Sequence, residues 1–109
     1  MFGLTDRDMQ TLQDIFNNYP EVETVFIFGS RASSVYKFGS DIDLAVMNEG
    51  VPETVIGSIK SDFEESSLPY AVDLINYFTL KHPELKSHID RVGVPFYQKQ
   101  GESHGSIVV

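Results

Sequence analysis

Two aspartates one residue apart, Asp41 and Asp43, stand in the run DIDLAVM at residues 41–47. In an extended chain alternate side chains share a face, so both carboxylates project one way while Ile42, Leu44 and Val46 project the other. Like charges held side by side are destabilising unless a cation lies between them. Magnesium takes oxygen ligands and usually binds one or two carboxylates together with substrate phosphates, which suits this pair. A third acid, Asp73, lies inside the apolar run YAVDLINY at residues 70–77. A carboxylate in that setting is costly without a cation or a hydrogen-bonding partner. If the two runs are neighbouring strands, the three acids converge on one metal site. The structural alternatives are a turn or cap role for Asp41, which follows Ser40, and a water-facing edge position for Asp73. Asp43, flanked by residues of a buried strand, fits no such role.

A second element of chemistry precedes the pair. Gly29-Ser30 follows the β-branched and aromatic run VETVFIF at 22–28 and opens GSRASSVY, read as a turn into a short helix. Glycine permits close backbone approach, and a helix start offers unsatisfied N–H groups to a phosphate, with the Ser30 hydroxyl as a further donor. Arg31 is expected to add a charge-assisted phosphate contact. The alternative is an ordinary strand-to-helix turn capped by Ser30. No G-K-[ST] follows, so this is not the Walker type of phosphate loop, and the G-x-G-x-x-G dinucleotide fingerprint is absent. A phosphate cradle beside three carboxylates is the layout for in-line phosphoryl or nucleotidyl transfer with two divalent ions.

The elements that must position these groups follow from periodicity. Met9, Leu12, Ile15, Phe16 and Tyr19 fall at helical spacing over residues 5–19, with Thr5 as N-cap and Asp6 and Asp8 in the first turn. Strands are expected at 22–28, 41–47 and 70–77, and helices at 51–63 and from Pro83 to about Arg91. VGVPFYQ is a short final strand that Pro95 confines to an edge. The order α-β-α-β-α-β-α with a last strand predicts an α/β (α+β) domain, a mixed sheet of three to four strands with helices packed on it. His82, His88 and His104 show no metal-like spacing and are expected at the surface. Tyr70 and Tyr77 are expected to pack, and Lys37 to be a solvated loop residue.

Composition narrows the function class. At 109 residues the chain accommodates one domain, assigned to 1–98, with 99–109 expected to be a flexible tail. The net charge of −8 and the lack of any basic cluster argue against a phosphate-tracking nucleic-acid surface, whereas a nucleotide carried with its metal remains compatible. There are no cysteines, so no disulfide or thiolate-metal framework exists. No apolar run approaches the roughly 20 residues of a membrane span, and the expected location is cytoplasmic.

Gly29-Ser30, ten residues, then Asp41-Ile42-Asp43 reproduces the G-S-x10-D-x-D pattern of the polymerase-β-like nucleotidyltransferase superfamily. With GSRA, GSDIDLAV and the later VDLI, the chain resembles the minimal nucleotidyltransferases over roughly residues 5 to 98. The resemblance implies the polymerase-β-like fold and two bound Mg2+ ions, with Mn2+ as a substitute. It gives Asp41 and Asp43 the role of metal ligands and has Asp73 share a metal beside the attacking hydroxyl. Gly29 and Ser30 would hold the terminal phosphates of a nucleoside triphosphate, expected to be ATP, with Arg31 and Ser40 counted among the nucleotide-binding residues. Ser33-Ser34 stands where many members have a glycine, which alters the loop and leaves the ligand set intact.

The chain has little room for acceptor recognition, so a partner in trans is expected. The resemblance points to small helical HEPN-type toxins, a tyrosine of which would receive AMP, with this chain as the antitoxin. The alternative is a non-catalytic antitoxin that neutralises by docking. Homo-oligomerisation is left open. D-x-D sugar transferases need far longer chains, and an EF-hand is excluded because no twelve-residue loop with a terminal Glu follows Asp41.

Overall fold

The computed structural model describes residues 2–33 and 39–99. Helix α1 (Asp6–Asn17) begins in a capping box: Asp8 N donates to Thr5 Oγ1 at 3.0 Å and Thr5 N donates to Asp8 Oδ2 at 3.3 Å. Strand β1 (Thr24–Phe28) leads into a 3-10 turn at Gly29–Ala32. Strand β2 (Ile42–Val46), helix α2 (Glu53–Glu64) and strand β3 (Val72–Asn76) form a crossover, since β2 and β3 pair in parallel. A 3-10 turn at Tyr77–Thr79 precedes helix α3 (Pro83–Val92) and strand β4 (Val94–Gln98).

The sheet order is β3-β2-β1-β4, with β1 antiparallel to both β2 and β4. The expected mixed sheet is therefore four-stranded, and Pro95 does lie on an edge strand, next to an irregularity in the β1–β4 register. Lys99, assigned above to the tail, continues that ladder: its N–H donates to Glu23 O at 2.7 Å. Residues 100–109 of the expected tail lie outside the described residues.

Helices α1 and α2 cover one face of the sheet. Leu12 and Phe16 from α1 and Ile56, Ile59 and Phe63 from α2 bury against Val25, Ile27, Ile42, Leu44, Val46 and Leu74. Phe16 packs edge-on to Phe63, ring centroids 5.6 Å apart, and 5.1 Å from Tyr97. Helix α3 lies on the opposite face, where a smaller cluster of Phe28, Ala45 and Ile89 forms with Ile75, Leu85 and Val92 around it.

Several element ends differ from the sequence expectation for identifiable reasons. The third strand stops at Asn76 rather than Tyr77 because the Asn76 side chain accepts from Phe78 N at 3.0 Å and starts the 3-10 turn. Helix α2 begins at Glu53 because Pro52 is extended and serves as its N-cap. The expected short helix after Gly29 is a single 3-10 turn through Ala32, ended by an extended Ser33, and residues 34–38, with the Lys37 loop, fall outside the described residues.

Candidate active site

Strand alternation places the acids. Asp43 pairs with Phe28 of β1 on one side and with Asp73 of β3 on the other, while Ala45 pairs with Phe26 and Ile75. Asp43, Ala45 and Asp73 thus share the α3 face, and the apolar partners Ile42, Leu44 and Val46 are buried on the α1/α2 face. Asp41, two residues before Asp43, is exposed at the entrance of β2, and Asp73 is exposed on the edge strand. Asp43 is only partly exposed. Burial first, then the charges of Asp73 and Asp41, push the Asp43 carboxyl above its ordinary range; His88 pulls more weakly the other way.

Gly29 completes the arrangement. Its φ of +76° is a left-handed conformation, and a Cβ there would land on Asp43 Oδ2 and lie 3.3 Å from Asp43 Cγ. The sequence therefore needs a glycine here for two reasons, the turn and the carboxylate that occupies the space beside it. This contact joins the two halves that the sequence keeps ten residues apart: the Gly-Ser turn lies directly against the more buried carboxylate. Ser30 is exposed at the same turn and Ser40 is partly exposed before β2. Ser30 is not a helix cap; Phe28 precedes the 3-10 turn without any side-chain capping bond.

Arg31 departs from expectation. Its side chain is 1% exposed, donating from Nε to Ser40 O at 2.9 Å and from Nη1 to Phe2 O at 2.9 Å, with the guanidinium 4.5 Å above the Tyr70 ring. A direct phosphate contact does not fit a guanidinium enclosed in this way. Tyr70 packs as expected, and it does so beneath Arg31.

His88 is the residue that sequence reasoning missed. Expected at the surface, it is partly buried on α3, its ring edge-on to Phe28 with centroids 6.4 Å apart, and within electrostatic reach of Asp43. The signal was its position on the stripe of Leu85, Ile89 and Val92, the helix face that meets the sheet. His82 is exposed and caps α3, its Nδ1 accepting from Leu85 N at 3.1 Å, and His104 lies outside the described residues.

Carboxylate oxygens are the donors a hard divalent cation takes: Asp43 and Asp73 are paired directly across parallel strands, and Asp43 has its charge disfavoured by burial first and then by Asp73 and Asp41. Among the described residues no three His, Asp or Glu side chains are grouped so that they could hold a metal ion by themselves. No helix among the described residues is long and apolar enough to cross a membrane.

Comparison with known proteins places this geometry in a family. The sequence profile described as polymerase beta, nucleotidyltransferase matches residues 10–102. A probable protein adenylyltransferase, MntA, of Haemophilus influenzae is 33% identical over 90 residues, which is 82% of this chain and 75% of that protein. The fold is similar to a chain in a crystal structure of a toxin–antitoxin with AMP-PNP, with a TM-score of 0.67 at 19% identity over 85% of this chain and 75% of that one. It is also similar to a chain in the complex of tri-AMPylated Shewanella oneidensis HEPN toxin with MNT antitoxin, with a TM-score of 0.57 at 18% identity over 88% and 77% of the two chains. The chain belongs to the polymerase-β-like nucleotidyltransferase superfamily, among its minimal nucleotidyltransferases.

Proposed function

We propose that the chain transfers AMP from ATP to a hydroxyl of a partner protein, a tyrosine of a small helical HEPN-type toxin, and so acts as its antitoxin. The observation that carries the reading is the Asp43–Asp73 pair held across β2 and β3 with the Gly29 turn against Asp43. The 33% identical relative named a probable protein adenylyltransferase supports the choice of nucleotide and of a protein acceptor.

In this reading the Gly29-Ser30 turn, which lies against Asp43, would hold the terminal phosphates of the triphosphate. Asp41, Asp43 and Asp73 would hold Mg2+, which supplies charge compensation for the triphosphate and the leaving pyrophosphate. The acceptor oxygen forms a bond to the α-phosphorus, the α–β bridging bond breaks, and pyrophosphate leaves. Asp73, exposed on the edge strand, would receive the hydroxyl proton.

The test is incubation of the chain with labelled ATP, Mg2+ and a helical HEPN-type partner, beside an Asp41→Ala/Asp43→Ala double variant. Label on a partner tyrosine with the wild type and none with the variant is the expected result. A variant that neutralises the partner as well as the wild type would establish docking without catalysis.

A further inference from the structure

Among the described residues Arg31 is the most deeply enclosed charged side chain, at 1% exposure, and the reaction described above does not use it. Removing a guanidinium from water is expensive, so its surroundings indicate what it is kept for. Its contacts among the described residues reach three separate segments. Nη1 binds the carbonyl of Phe2, a residue in the left-handed conformation at φ +58° that bulky side chains seldom adopt. Nε binds the carbonyl of Ser40, and the guanidinium plane lies over Tyr70. Ser40 immediately precedes Asp41, and Tyr70 stands shortly before Asp73 on the segment entering β3. The two entrances are also joined to each other, since Ile42 N donates to Ala71 O at 2.9 Å. Arg31 itself lies one residue beyond Ser30, in the same 3-10 turn as Gly29.

We propose that Arg31 is a positioning residue that fixes the Gly29-Ser30 turn against the starts of β2 and β3, setting the distance between the phosphate-binding turn and the three aspartates without itself touching nucleotide. The bond from Arg31 to Ser40 closes the base of the connection between β1 and β2, so that connection is tied at its foot whatever path its middle takes. A planar fork meets two carbonyls and a ring at once, which a lysine ammonium cannot reproduce. The inference rests on the nucleotidyl-transfer reading for its kinetic test and is independent of it for its structural one.

Arg31→Met and Arg31→Lys, both checked for a cooperative melt, are compared with wild type in three measurements. Binding of a fluorescent ATP analogue with Mg2+ should stay close to wild type in both. Turnover of adenylate transfer should fall about 10²-fold in Arg31→Met, as expected for misplacement of reacting groups by roughly an ångström, and less in Arg31→Lys. Amide hydrogen exchange should quicken at Ile42 and Asp43 in both variants. Loss of ATP-analogue affinity in step with turnover would instead assign Arg31 to the phosphates, and undiminished turnover in Arg31→Met would also overturn the proposal. If Arg31→Met does not fold, Tyr70→Leu, which removes the ring from beneath the guanidinium, must show the same fall in turnover at retained affinity or the proposal fails. An inactive wild type would count against the transfer reading, and the exchange measurement would then decide the clamp alone: unchanged exchange at Ile42 overturns it.

Discussion

The two faces of the sheet are made from alternate residues of the same strands, and they are built to opposite ends. On the α1/α2 face Ile42, Leu44 and Val46 are fully enclosed by two helices and an aromatic cluster. One residue out of phase, Asp43 and Ala45 face α3, where the apolar cluster is small and its member Phe28 pairs directly with Asp43. The first face makes the fold stable. The second holds like charges together, and the raised Asp43 carboxyl shows that the fold resists ionising it. In the proposed reading the pleat of a single strand separates stability from chemistry, and substitutions on either side of that pleat should have opposite signatures.

The largest effect is expected from Asp43→Asn, which should lower adenylate transfer by about 10³-fold, the loss of roughly 4 kcal/mol of charge stabilisation, while leaving the chain folded. Leu44→Ala, next in sequence but on the other face, should do the reverse. It should lower unfolding free energy by about 2–5 kcal/mol in denaturant titration and leave turnover per folded molecule near wild type. If Leu44→Ala cost activity as Asp43→Asn does, the two faces would not be functionally separate.

Gly29→Ala sharpens the comparison at the seam between them. The new methyl group would meet the Asp43 carboxylate in a left-handed turn, so transfer should fall about 10²-fold through displaced geometry, with a smaller loss of stability. The smallest expected effect belongs to Gly57 in α2, exposed and with open space where a Cβ would go. Gly57→Ala should add about 0.5–1 kcal/mol to unfolding free energy and leave transfer unchanged.

These contrasts also account for what the sequence made legible. The alternation in DIDLAVM told the two faces apart, because strand period is a local property and one face is buried. The pairing of Asp43 with Asp73 was stated only as a condition, since register across a crossover depends on how α2 packs and no residue near either acid encodes it. Arg31 was expected at a phosphate because a charge-assisted contact is the local expectation for an arginine beside a Gly-Ser turn. Its contacts include Phe2 and Tyr70, from segments far away in sequence, and Ser40 on the near side of β2. His88 was taken for a surface residue because its spacing excluded a metal site, while its place on the sheet-facing stripe of α3 went unused.

The acid cluster on the α3 face should cost the fold stability until a cation arrives, and thermal melting of wild type and Asp43→Asn with and without Mg2+ tests this most directly. Because the Asp43 carboxyl is raised in the fold, the advantage of its protonated form is fully present below its ordinary value of 3.8 and is lost as pH rises through the raised one. At neutral pH without Mg2+, Asp43→Asn should therefore melt above wild type, and the gap should close as pH is lowered. Adding Mg2+ with ATP should raise the wild type and leave the variant nearly unmoved. A variant that melts below wild type without Mg2+, or that gains as much from Mg2+ and ATP as the wild type does, would contradict the account.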